Sequence, residues 1–107
     1  MYCTVEQVRR LVITDLSDAD VLDIVEEIEG WIDWKYSLTG VPALVIQRAS
    51  RLKSAYTIML RDPNAQKIGQ YSEDRSKQLD LMKSESDAAL KDLNAGGTIQ
   101  AFNDPIS

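Results

Sequence analysis

The chain has 107 residues, 44% of them hydrophobic, a formal charge of −5 and one cysteine. That size suits one domain around one modest core, and that apolar share argues against disorder of the whole chain. The same figures exclude an internal disulfide, an apolar run of the ~20 residues that span a bilayer and, on overall charge, a nonspecific grip on nucleic acid.

The predicted elements are helices. Thr4-Val5-Glu6-Gln7 has the form of a capping box, and Val5, Val8, Leu11 and Val12 recur at helical spacing after it, so a short first helix is expected to end near Leu11. A second helix begins at Ser17, an N-cap followed by Asp18 and Asp20 against the positive helix end. Val21, Val25, Ile28 and Ile32 form its buried stripe, widened by Ile24 and Trp31, and it runs to about Tyr36. Gly30 is a mild weakness within it, explained by packing or by the close approach of another element.

The third helix opens with Pro42 at a first helical position. Leu44, Val45, Ala49, Leu52, Tyr56, Met59 and Leu60 give it a regular apolar face, and Asp62-Pro63-Asn64 ends it. It reads as the central helix. A polar connection leads to a fourth helix starting near Ser72, with Leu79, Met82, Ala89, Leu90 and Leu93 on its buried stripe and Ser86 thinning it. Asn94-Ala95-Gly96-Gly97 is expected to close that helix.

The fold expected is therefore all-α: a small helical bundle of about four helices with an extended C-terminal tail. Its core should contain Val25, Ile28, Ile32, Leu52, Tyr56, Met59, Leu79, Met82 and Leu90. Residues 1 to 97 form the helical domain. Residues 98 to 107 form an extended arm in which Ile99, Phe102 and Ile106 are the anchors for a partner; a strap over the chain's own core suits the same residues.

Chemistry finds little purchase here. The chain has no His, which removes the commonest general base and transition-metal ligand and with them the serine triad and the His-containing zinc sites. Cys3 then has no imidazole to activate it and reads as a small apolar residue, in keeping with a reducing compartment such as a cytoplasm. No Gly-rich phosphate loop is present. No catalytic residue, cofactor or metal is expected. Residues 1 to 6 show no basic start followed by an apolar block, so no secretory leader is expected.

The informative feature is charge segregation. Residues 15 to 33 hold eight acids and no base, and residues 35 to 61 hold five bases and no acid. Two arrangements use this. Helices two and three pair their flanking charges within one subunit, at ~0–1 kcal/mol per exposed pair. Alternatively, the acidic face of one copy, with Asp23, Glu26 and Glu27, meets the basic face of the next, with Arg48 and Arg51, in a head-to-tail contact that closes a ring. Trp34 lies about 90° from the apolar stripe at ~100° per residue, and is either a core-edge residue or an interface residue.

Several stretches carry a resemblance: Tyr2 to Arg9, with the pattern Tyr-x-Thr-Val-Glu-Gln-Val-Arg; Leu16-Ser17-Asp18-Ala19-Asp20-Val21 leading to Trp31-Ile32-Asp33; Gly40-Val41-Pro42 before a helix with Ala49 and Tyr56; and Ile68-Gly69-Gln70-Tyr71-Ser72-Glu73 before the last helix. Over nearly the whole chain this layout resembles the small head–tail connector (adaptor) proteins of tailed phages. The resemblance implies a viral structural protein, a small helical bundle that assembles into a homo-oligomeric, dodecameric ring beneath the portal protein. Such a ring extends the DNA channel, docks the stopper or tail-completion protein, and lets DNA pass without sequence-specific binding. It implies no enzymatic activity and no membrane. It places the protein in the virion at the head–tail interface, after assembly in the host cytoplasm. The alternative is a small acidic helical binding module, an inhibitor or regulator acting on a basic protein partner. A helix-turn-helix DNA binder is poorly supported, since the basic third helix is apolar enough to be core.

Overall fold

The computed structural model describes residues 1–69 and 73–98. In chain order the elements are α1 (Val5–Arg9), β1 (Val12–Ile13), α2 (Asp18–Lys35), α3 (Ala43–Arg61), β2 (Gln66–Lys67) and α4 (Arg75–Thr98). The protein is a four-helix bundle carrying one small antiparallel ribbon, Val12 opposite Lys67 and Ile13 opposite Gln66.

The capping box forms as read: Thr4 Oγ1 accepts from the Gln7 amide at 3.1 Å, and the Thr4 amide donates to Gln7 Oε1 at 2.9 Å. The helix it opens is shorter than expected, ending at Arg9. Val12-Ile13-Thr14 is a β-branched run, stiff at χ1 and suited to extended backbone. It leaves the helix and pairs as β1, and the Ile68 amide adds a bond to the Leu11 carbonyl at 3.0 Å. Val12 is buried all the same.

α2 starts where the sequence places it, with Ser17 Oγ accepting from the Asp20 amide at 3.1 Å. Val21, Ile24, Val25, Ile28 and Ile32 are buried. Gly40, at φ +82°, turns the chain after α2 in a conformation that side chains disfavour. Pro42 then caps α3 and Ala43 is its first helical residue.

α3 is the central helix, packed on α1, α2, α4 and β1. Its buried face differs from the one expected. Leu44 and Leu60 are 76% and 59% exposed, while Ile46, Ser50, Ser54, Ala55 and Ile58 are buried. Small residues at 49, 50, 54 and 55 let neighbouring helices approach, and this draws the buried face toward them. Leu44 and Leu60 fall outside it.

α4 begins at Arg75, capped by Asp74, whose Oδ1 accepts from the Lys77 amide at 2.9 Å. It runs to Thr98 and so carries through Gly96-Gly97, where a stop was expected. A glycine costs a helix about 1 kcal/mol, a weakness rather than a barrier. Of the expected core, Val25, Ile28, Ile32, Leu52, Met59, Met82 and Leu90 are buried, and Tyr56 and Leu79 pack half-buried against them. Ile99, Phe102 and Ile106 of the expected arm lie outside the described residues.

Candidate interaction surface

The charged residues of α2 divide into two groups. Glu29 faces inward. Its Oε2 accepts from the Tyr2 amide at 2.7 Å, the Cys3 amide at 3.1 Å and the Ser50 hydroxyl at 2.8 Å. One carboxylate thus ties the N-terminal segment and α3 to α2. Beside it the Tyr2 hydroxyl donates to Asp33 Oδ1. That bond, with burial second, pushes the Tyr2 phenol up to about 12. Cys3 is buried with Sγ 3.2 Å from Ser50 Oγ. Burial raises its thiol pKa, with the Ser50 hydrogen bond opposing, so the thiol stays protonated and unreactive at neutral pH.

The second group faces solvent. Asp23, Glu26, Gly30 and Trp34 recur at i, i+3, i+7 and i+11, all exposed, on the side of α2 opposite Val21, Val25, Ile28 and Ile32. Trp34 is 81% exposed, so it stands clear of the core on the far side of α2 and is not the core-edge residue that the sequence also allowed. Among the described residues nothing lies within 4 Å of where a Gly30 side chain would begin, so none of the described elements approaches there. Trp31 instead packs against the core, edge-on to Tyr36 at 5.9 Å between ring centres, with Lys53 5.3 Å from its ring centre.

Part of the opposite charge is used inside the subunit. Glu27 accepts from Arg61 at 2.7 Å, joining α2 to α3. Arg48 reaches Asp92 of α4 at 3.5 Å rather than an acid of α2. Among the described residues no carboxylate pairs with Arg51, and its Nε is buried without an acceptor. Asp23 and Glu26 likewise have no basic partner among the described residues. The structure therefore brings Glu27 and Arg61 together and leaves Asp23, Glu26, Arg51 and Trp34 apart.

The sequence pattern missed Leu44. It sits on α3 with Gln47, Arg48 and Arg51 at i, i+3, i+4 and i+7, one face of the first two turns. A leucine sharing a face with two arginines was the available signal. A cleft of about 300 Å³ opens between the α3–β2 turn and α4, lined in part by Glu73, Arg75 and Gln78. Its guanidinium is already committed: Arg75 donates to the carbonyls of Met59, Asp62 (2.9 Å) and Ala65 (2.5 Å). Among the described residues no cluster of acids or thiols is placed to hold a metal ion, and no helix is long and apolar enough to cross a membrane. No family model, curated protein or solved structure matches the chain.

Proposed function

We propose that the protein is a structural adaptor that works by assembly, forming a ring of identical subunits beneath the portal of a tailed phage and docking the stopper or tail. The observation that carries this reading is the pair Trp34 and Leu44, 81% and 76% exposed. They flank the α2–α3 connection and so sit at one end of that helix pair. Removing a large apolar side chain from water contributes about 1.5–3 kcal/mol, and Trp is enriched where binding energy concentrates. The helical bundle supports the same reading, as does the resemblance of the sequence layout to connector proteins.

The test is co-sedimentation with portal rings of the same phage. Stoichiometric capture, lost with Trp34→Ala, is the expected result; no capture at any ratio contradicts it. The exposed acids Asp20, Asp23 and Glu26 favour a second reading, an acidic module that engages a basic protein. A one-to-one complex with such a protein, formed by a chain that never self-associates, would identify that role instead.

A further inference from the structure

We infer that copies of this chain join side by side, all pointing the same way, with the Asp23–Glu26–Gly30–Trp34 face of α2 on one copy seated against the Leu44–Gln47–Arg48–Arg51 face of α3 on the next. The inference rests on the ring reading above and names the two surfaces that would make it.

Register is the first argument. Ser50 bonds Glu29 at 2.8 Å and Arg61 bonds Glu27 at 2.7 Å; the contacts advance along α3 as they step back along α2, so the two helices run antiparallel with Leu44 beside the C-terminal end of α2. Trp34 and Leu44 are therefore at one level. Moving away from that end at 3.6 residues per turn, Glu26 comes about two turns after Trp34, and Arg51 about two turns after Leu44. Two parallel copies placed edge to edge bring Trp34 to Leu44 and, at the level of Arg51, Glu26 to a guanidinium. Gly30 lies between Trp34 and Glu26 with none of the described residues over it, a dip that admits the stem of Arg48.

Charge is the second argument. If either face met its own copy, carboxylates would oppose carboxylates or guanidinium groups would oppose guanidinium groups. Only α2 against α3 is attractive, and a contact between two different faces is the kind that repeats and closes into a ring. The basic face is partly open: Leu44 is exposed and Gln47, Arg48 and Arg51 are half-buried. Arg51 has no carboxylate partner among the described residues, although its Nε is itself buried. The Arg48–Asp92 pair is long at 3.5 Å with both side chains about half exposed, a class of contact exchanged at little cost.

Sedimentation velocity of the full chain at low salt tests this with two variants, Arg48→Glu/Arg51→Glu and Asp23→Lys/Glu26→Lys, each checked for native helix content. Each alone is expected to sediment as monomer. An equimolar mixture is expected to regain the native assembly, because every contact in an alternating ring is again between opposite charges. Trp34→Ala truncates a solvent-exposed side chain and is expected to weaken assembly at least tenfold without unfolding. Assembly that is closed but indifferent to these changes overturns the assignment of faces and leaves the ring reading standing. Assembly that is indifferent to charge but lost on deleting residues 99 to 107 assigns the contact to the C-terminal segment and overturns it equally. A wild-type chain that is monomeric at every concentration overturns both.

Discussion

One oxygen of Glu29 gathers two backbone amides of the N-terminal segment and a hydroxyl of α3. Removing it leaves buried donors without a partner, so Glu29→Ala should lower stability by about 2–4 kcal/mol in chemical denaturation, and Glu29→Gln by less. Ser54 and Ser86 present the reverse case. Ser54 lies on α3 and Ser86 on α4, both fully buried, and neither hydroxyl has a hydrogen-bond partner among the described residues. Replacing both by Ala should be neutral or stabilising by up to about 1 kcal/mol; a loss above that would show the hydroxyls are satisfied in solution. Asp62 sets an acid limit. Donation from Thr14 Oγ1 (2.5 Å), and after it from the Asn64 amide, holds its carboxyl below the ordinary 3.8. A carboxyl lowered on folding contributes stability above its unfolded pKa and loses it as pH falls through the folded value. The unfolding midpoint should therefore fall on acidification below about pH 4, and Asp62→Asn should flatten that part of the profile. Ser86 was legible as a polar residue on the buried stripe of the fourth helix, but the bonds made by Glu29 and Asp62 were not legible in the sequence. Glu29 is one of eight acids in a run, and only the fold shows that it alone turns inward.

At the scale of elements the caps were legible because they are local. Thr4 with Gln7, and Ser17 with Asp20, satisfy amides three residues away, a distance at which sequence and structure coincide. The ribbon was not legible, because Val12-Ile13 fits a helical spacing equally well and its pairing with Gln66-Lys67 comes from more than fifty residues away. The face of α3 was legible only in part. Leu52, Ala49 and Met59 are buried as read, while Leu44 and Leu60 stand outside, since periodicity cannot say which neighbours will cover which turn. Leu52→Ala should cost about 2–5 kcal/mol as a cavity in a packed core. Arg75→Ala should do comparable harm for a different reason. Its guanidinium closes the C-terminal end of α3 by binding the carbonyls of Met59, Asp62 and Ala65. Hydrogen exchange of the α3 C-terminus and the β2 turn should speed up in that variant, with the α2 core unchanged. Uniform acceleration across the bundle would show that Arg75 supports the global fold instead.

At the scale of the whole molecule the segregation of charge in the sequence meets two fates. Some of it closes within the subunit, as Glu27 with Arg61 and Arg48 with Asp92. The remainder stays on the surface beside Trp34 and Leu44, at matched levels on two antiparallel helices. The sequence made the two charged runs plain, but it could not divide them, because the division depends on which side of each helix is covered. Added salt should weaken assembly, since exposed charges are screened beyond ~10 Å at 0.1 M. The central claim is assembly through two different faces into a closed ring, and native mass spectrometry of the purified chain tests it most directly. A single narrow stoichiometry, reached as concentration rises and lost with Arg48→Glu/Arg51→Glu, is the result this account expects; a monomer, a simple dimer or an open ladder of sizes would contradict it.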